Sequence, residues 1–432
     1  MRNRHIALLA LAAWIAATAA TGCQRDGYAD EHDVRLEFSE PELSFDTVFA
    51  AMGTATRSVR VYNRSSSDIE ISSVTLLHGR QSRFRLNVDG DTSLTARNVE
   101  LQAGDSLFIF VQANIDPNDE NEPFLRTDSI VFGNGQVLRL SAYGRNAVYH
   151  RLGTGDTTWY VPIDCAAWRH DRPHVFLSPA AVLEGNTLTL GAGDELYFAD
   201  GAMLVIDSAA SLVVHGTAEQ PVLFSSMRRE EWYRQLPGQW PCVWFYNYSR
   251  GNIIDHAVVE NGVSGLRCYP NSELTVSNAV IRNMSDAGLV GQDASINGTN
   301  LLVYDCYSSA VLIGGGDYRF GRCTFADYWS IVGRTRDTAA VIISNYYPLS
   351  ATELYAGHMH ATFSESIVYG TWRCEVAVSH LDGLDMDTTF SRTLVRGGAW
   401  SEDPLFVDPQ NDDYRLQDGS PAAGIGYDFE NQ

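Results

Sequence analysis

The densest run of proton-transferring and metal-capable side chains is His358-Met359-His360, followed by His380-Leu-Asp382-Gly-Leu-Asp385-Met-Asp387. On a strand, residues i and i+2 share a face, so the two imidazoles would lie together as a metal requires. No third ligand is evident nearby, and the chain has no Cys-X-X-Cys or Cys/His zinc spacing. Asp382, Asp385 and Asp387 form neither an EF-hand loop nor a glycine-rich nonapeptide, so the expectation is no cofactor, with Ca²⁺ the ion to test. A second set, Arg267, Arg282, Tyr304 and Asp305, together with Arg319, has the types a lyase uses: a cation to neutralise a uronate and a group to take the proton. Ordinary outward residues on a solvated face are the competing reading of both sets. The chain contains no lysine, which removes lysine bases and Schiff bases from consideration.

Aromatic side chains concentrate at Trp232, Tyr233, Trp240, Trp244, Tyr246 and Tyr248, and again at Tyr346, Tyr347, Trp372 and Trp400. Exposed rings stack on sugar rings, and loops that leave a rigid scaffold are where binding residues gather. Trp232 and Tyr233, inside the charged insertion 227–241, are therefore the ligand-contact candidates. Trp240 reads as structural.

The elements that must position these residues come from an internal repeat. His256-Ala-Val-Val-Glu-Asn261, Asn278-Ala-Val-Ile-Arg-Asn283, Asn300-Leu-Leu-Val-Tyr-Asp305 and Arg322-Cys-Thr-Phe-Ala-Asp327 start at steps of 22. Related segments begin 43 residues later at Glu365 and 27 later again at Arg392. Ala257, Ala279, Leu301 and Cys323 form one apolar column, and Val259, Ile281, Val303 and Phe325 another. Alternation within each unit makes it a strand with one inward face. Asn261, Asn283, Asp305 and Asp327 make a polar column whose amides can hydrogen-bond from rung to rung. Three short strands per 22 residues predict an all-β fold, a right-handed parallel β-helix of about 22 residues per coil over 173–432. Eight to ten coils at roughly 4.8 Å per rung would make a rod of roughly 40–50 Å.

Residues 34–146 carry strand alternation at SVRVYN, IEISSVTL, SLFIFVQANI, DSIVF and VLRLSAYG, separated by turn-rich stretches. Strands at this spacing predict an immunoglobulin-like sandwich. Residues 147–172 read as a linker. The N-terminus has Arg2 and Arg4, an apolar run too short and Ala-rich for a membrane span, and Ala20-Thr21-Gly22-Cys23. This predicts a lipoprotein signal over 1–23, lipidation at Cys23 and a polar tether over 24–33. The other six cysteines leave room for disulfides in an exported protein. A net charge of −22 sets nucleic acid aside as a partner, because its phosphates would be repelled.

Two resemblances add to this. "LSFDTVFAAMGTATRSVRVYNRSSSDIEISSV", with "AGDS" before a long strand, resembles Hydin-type immunoglobulin-like domains, which imply a spacing or binding role. "GTAEQPVLFSS", "PGQW", "FYNYSRGNIIDHAVVENGVSGL" and the terminal "DPLFVDPQNDDYRLQDGSPAAGIG" resemble the β-helix (pectin-lyase-like) surface lipoproteins of Bacteroidetes-type bacteria. That resemblance implies that residues 403–426 cover the open end of the rod, with Asp412 and Asp413 holding a turn. It also implies outer-membrane attachment, periplasmic or cell-surface facing. The polygalacturonase pattern is absent: Gly357-His358-Met359-His360 is the nearest approach, and there is no Asn-Thr-Asp. The sequence is thus read as a non-catalytic surface protein binding glycan or another surface component. A β-helix polysaccharide lyase or glycoside hydrolase is the alternative, and a purely structural rod a further one.

Overall fold

The structure, a computed structural model, describes residues 27–50, 52–53, 56–118, 123–230, 232–328 and 336–429. Cys23 and the signal segment lie outside the described residues, as do residues 24–26 of the tether. The chain divides into two compact units, Met1–Asn146 and Ala147–Gln432.

The first unit is built from two sheets around one apolar core. One sheet orders Leu36–Phe38, Arg57–Asn63, Ser106–Ala113 and Phe84–Val88; the other orders Glu42–Phe49, Val137–Arg145, Phe124–Phe132, Ile69–Leu76 and Thr95–Leu101. Period-two patterning explains the burial: along Ser106–Ala113, Leu107, Ile109, Val111 and Ala113 turn inward. Asn63 ends its strand fully buried, and its Nδ2 donates to the carbonyls of Ser67 (2.9 Å) and Leu101 (3.1 Å). This holds the NRS turn without an orphaned amide.

The second unit is one continuous parallel sheet of 23 strands wound into a coil. Each strand pairs with the corresponding strand one coil later, which leaves three flanks. The first flank has ten rungs, running from Val148–His150 through Ala257–Glu260 to Leu394–Val395. The second has nine, from Val161–Pro162 through Ser264–Cys268 to Val376–Ser379. The third has eight, from Thr187–Leu190 to Met386–Ser391. The coil begins at Val148, inside the stretch read as a linker. That stretch forms the first turn of the coil, and its polar composition hides two very short strands.

The columns of the repeat are the columns of the core. Ala279, Leu301, Cys323, Val259, Ile281, Val303 and Phe325 are fully buried and Ala257 nearly so. Asn283 Nδ2 donates to Asn261 Oδ1 at 2.6 Å, and Asn300 Nδ2 to Asn278 Oδ1 at 2.9 Å, one coil apart each time. The first residue of every repeat has positive φ: His256, Asn278, Asn300, Arg322, Glu365 and Arg392. A left-handed residue turns the chain between flanks there. Asn accepts it readily, whereas the other side chains bear a cost of roughly 1–2 kcal/mol each. All six cysteines of 27–432 are free thiols. Four of them are buried, so the room left for disulfides is not used.

The C-terminal segment corrects an expectation. Phe406–Asp408 and Asp413–Leu416 form a hairpin that lies along the first flank, not over the last rung. Tyr414 packs on Tyr304 with ring centroids 4.7 Å apart. Three backbone amides then tie the strap to three coils: Gly426 to Glu365 O (2.7 Å), Tyr427 to Thr324 Oγ1 (2.9 Å) and Asp428 to Asn300 Oδ1 (2.8 Å). Leu302, Ala326, Ile367 and Tyr369 are outward and apolar, and a solvated flank would not carry them uncovered. Asp412 takes the left-handed turn position, φ 63°, and Asp413 is ion-paired with Arg415. The pair shapes a turn.

Candidate active site

Register on the third flank brings together residues far apart in sequence. Asp317 lies beside His360, and His360 beside Asp387, on three consecutive rungs. The intervening residues Tyr318, Phe320, Met359, Ala361 and Phe363 are buried, so alternation fixes this row as outward. Phe320, Phe363 and Phe390 stack inside at 5.1 and 4.9 Å and lock the rungs in step. The next outward row holds Arg319, Thr362 and Thr389. Arg319 Nη2 meets Asp317 Oδ1 at 2.8 Å, and Thr389 Oγ1 donates to Asp387 Oδ1 at 3.4 Å. Asp317 and Asp387 are two rungs apart, about 9–10 Å between Cα atoms at roughly 4.7–4.9 Å per rung.

The same register places His358 against Asp385, with Nδ1 3.5 Å from Oδ2. His358 precedes its strand and stands at a corner. The two imidazoles therefore do not converge on one point; each faces a carboxylate of the next rung. His380 Nδ1 lies 3.6 Å from Asp382 Oδ1 on a separate turn. Among the described residues no group of three His, Cys, Asp or Glu is placed to hold a metal. Of the residues read as metal candidates, His360 and Asp387 join Asp317 in a carboxylate–imidazole row, and His358, Asp382 and Asp385 lie outside it.

The lyase-type set divides. Arg282, Tyr304 and Asp305 meet on the first flank: Arg282 bonds Glu260 Oε2 through Nε (3.0 Å) and Nη2 (2.7 Å) and donates from Nη1 to Tyr304 OH at 2.9 Å. Tyr414 OH donates to Asp305 Oδ1 at 3.3 Å. Tyr304 is only 4% exposed beneath the strap, and burial pushes its phenol up to about 12. A covered, neutral phenol does not abstract a substrate proton at neutral pH. Arg267 is on the second flank, in register with Trp244. Trp232 is 75% exposed, while one face of Tyr233 is occupied by the Arg228 guanidinium, 3.6 Å from the ring centroid. Trp240 is fully buried, stacks 4.4 Å from Phe198 and donates to Glu260 O at 2.9 Å.

Asp317 was not singled out by sequence reasoning, where His360 and Asp387 were read as metal candidates. The signal was present in the repeat. The steps of 43 and 27 that relate Arg322, Glu365 and Arg392 also relate Asp317, His360 and Asp387.

No family model matches the chain, and no curated protein matches it. Two solved structures are similar over 79% of its length. One is the crystal structure of the Agl-KA catalytic domain, at 11% identity and a TM-score of 0.20 over 80% of that chain. The other is a GH87 α-1,3-glucanase catalytic domain in complex with tetrasaccharides, at 8% identity and a TM-score of 0.18 over 81% of that chain. Both are catalytic domains. It is the outward row of Asp317, His360 and Asp387, not this likeness, that turns the reading from the non-catalytic one given above to its enzymatic alternative.

Proposed function

We propose that the protein is a carbohydrate-active enzyme that hydrolyses a polysaccharide at the row Asp317–His360–Asp387. The carrying observation is the row itself: two outward carboxylates two rungs apart with an imidazole between them, open to solvent. Inverting glycoside hydrolases hold their carboxyl groups roughly 6.5–9.5 Å apart, leaving room for a water on the far face of the sugar. Asp317, ion-paired with Arg319, is the carboxylate suited to activating that water. Asp387 protonates the leaving oxygen. His360 lies between them, within reach of the substrate hydroxyls and of either carboxyl group. The test is reducing-end release by the purified chain from neutral polysaccharides, glucans among them, and from acidic ones, with Asp317→Asn and Asp387→Asn alongside. Wild-type release, a loss of about 10²–10⁴-fold in each variant, and inverted product configuration by NMR are expected. Variants that keep full rate would remove the row from the chemistry, and no release across the panel would remove the enzymatic reading.

Two finer readings remain proposals supported by sequence. The lipobox-like Ala-Thr-Gly-Cys supports lipid attachment at Cys23 and an outer-membrane address. The strand spacing and the "FDTVF" and "AGDS" segments support an immunoglobulin-like spacer over 34–146.

A further inference from the structure

The second flank carries a separate site. Its outward rows are Trp244, Arg267 and Val290, and beside them Tyr246 and Tyr269. Trp244 and Tyr269 meet edge to face at 4.9 Å, Trp244 and Tyr246 at 5.5 Å, while Tyr246 and Tyr269 lie at 6.4 Å with rings 30° apart. Tyr246 is 40% exposed and Tyr248, at the corner, 53%. A hairpin, Tyr346–Pro348 with Leu354–Ala356, rises next to this floor. Its Tyr347 and Tyr355 settle over Gly314, where an added Cβ would come within 2.5–2.6 Å of the Tyr347 ring. Tyr355 is hydrogen-bonded to Asp293. The floor is therefore a rigid aromatic surface with one wall.

Its polar chemistry is unfinished. Trp244 Nε1 and Arg267 Nε, on adjacent rungs, are buried and without a hydrogen-bond partner among the described residues, and the Arg267 guanidinium lies 5.9 Å from the centroid of the Tyr269 ring. Arg267 also has no carboxylate partner there, in a chain where acidic side chains outnumber basic ones by 53 to 31. The exposed rings beside this arginine offer a face on which a saccharide ring stacks. A guanidinium with no carboxylate beside it asks for a ligand that brings an anion. The net charge of −22 opposes a dense polyanion at long range, which leaves a saccharide carrying isolated acidic groups.

We infer that the second flank binds an acidic saccharide, its ring on Tyr246 and Tyr269 and its anionic group on Arg267. This rests on the carbohydrate reading above and names the substrate class, at a site apart from the hydrolytic row. The test is titration calorimetry on the full chain carrying Asp387→Asn, so that binding is read without cleavage. The probes are a glucuronate-bearing xylotriose, a monosulfated xylotetraose and neutral xylotetraose. The acidic probes should bind at least tenfold tighter than the neutral one. Arg267→Gln should reduce that preference to near unity while leaving neutral binding in place, and Tyr246→Ala should weaken both. Preference for the glucuronate or for the sulfate probe identifies the anion. Equal binding of acidic and neutral probes, or a preference unchanged by Arg267→Gln, overturns the inference. Neither outcome touches the hydrolytic row, whose failure would appear only in the cleavage assay.

Discussion

Glu375→Leu should destabilise the coil unit by about 5 kcal/mol, a figure built from a buried pair and the backbone donors around it. Glu375 and Arg336 have no exposed side-chain surface, and they meet as a two-point pair, Nη2–Oε2 at 2.8 Å and Nη1–Oε1 at 3.1 Å. The same carboxylate accepts from Ala340 N at 2.9 Å and Trp372 N at 2.7 Å. Breaking a buried pair by removing one partner costs roughly 3–5 kcal/mol, and two backbone donors left unsatisfied add about 1 kcal/mol or more each. Asp327, 3.9 Å from Arg336, retains part of the compensation, which keeps the total from rising further. Glu375→Gln, which preserves an acceptor, should cost about half as much. Arg336→Met combined with Glu375→Leu should recover much of the loss, since an apolar replacement removes the stranded charge. Asp327 supplies a pH signature. Burial raises its carboxyl to about 7, against the opposing pull of Arg336. A carboxyl raised on folding contributes stability that is present below its unfolded value near 4 and is lost as pH rises towards 7. In Glu375→Leu the whole Arg336 charge falls to Asp327, so this decline should flatten. Urea unfolding of the coil transition at pH 5 and pH 8 reads both effects. A Glu375→Leu cost under about 1 kcal/mol, or an unchanged pH slope, would refute the account of this cluster.

The remaining predictions are shorter. Asn283→Ala removes a 2.6 Å ladder bond and forces alanine to φ 56°, so a loss of about 1–3 kcal/mol is expected in the urea midpoint, and a neutral result would dismiss the ladder. Burial, reinforced by His174, lowers His150 to about 3. A base depressed on folding loses its contribution as pH falls from about 6.5 towards 3, so the coil should weaken by a few kcal/mol across that window, and His150→Phe should remove much of the slope. Gly314→Ala should displace the Tyr347–Tyr355 hairpin and weaken acidic-saccharide binding at least tenfold while leaving hydrolysis intact, read by calorimetry and reducing-end release. Cys23→Ser should shift the chain from the detergent to the aqueous phase in a phase-partition assay of expressing cells; equal partitioning would end the lipid-anchor proposal.

Much of the coil was legible because its core is periodic. Ala257, Ala279 and Leu301 recur once per coil, each facing the same interior, so one inward column predicts the next. The strap was misplaced for a physical reason. Its motif shows that it must cover apolar surface, yet the surface it covers is set by Leu302, Ala326, Ile367 and Tyr369, whose outward direction emerges only once strands are paired. The first turn was missed because Val148–His150 and Val161–Pro162 are too short to show alternation, and polar residues lie between them. Tyr304 looked reactive by type. Its neighbour Tyr414 comes from the far end of the chain, and no local pattern announces that it buries the phenol.

The pairing of the strands also decides which flank can do chemistry. The first flank is partly closed by the strap, and its acid–base residues Glu260, Arg282 and Tyr304 already satisfy one another. The second is an aromatic surface whose Arg267 lies over the Tyr269 ring and has no carboxylate partner among the described residues. The third has no cover over Asp317, His360 and Asp387 among the described residues, and the stacked phenylalanines beneath keep its rungs from slipping. A slip of one residue would turn the whole outward row into the core, so three ionisable groups can sit outward on successive rungs only where the inward set is this firmly fixed. Rigid spacing is what a two-carboxyl mechanism requires, because the gap between the groups decides whether a water fits between them and the sugar. The coils that carry His360 and Asp387 are longer than the 22-residue repeat, yet the register across Asp317, His360 and Asp387 is unbroken.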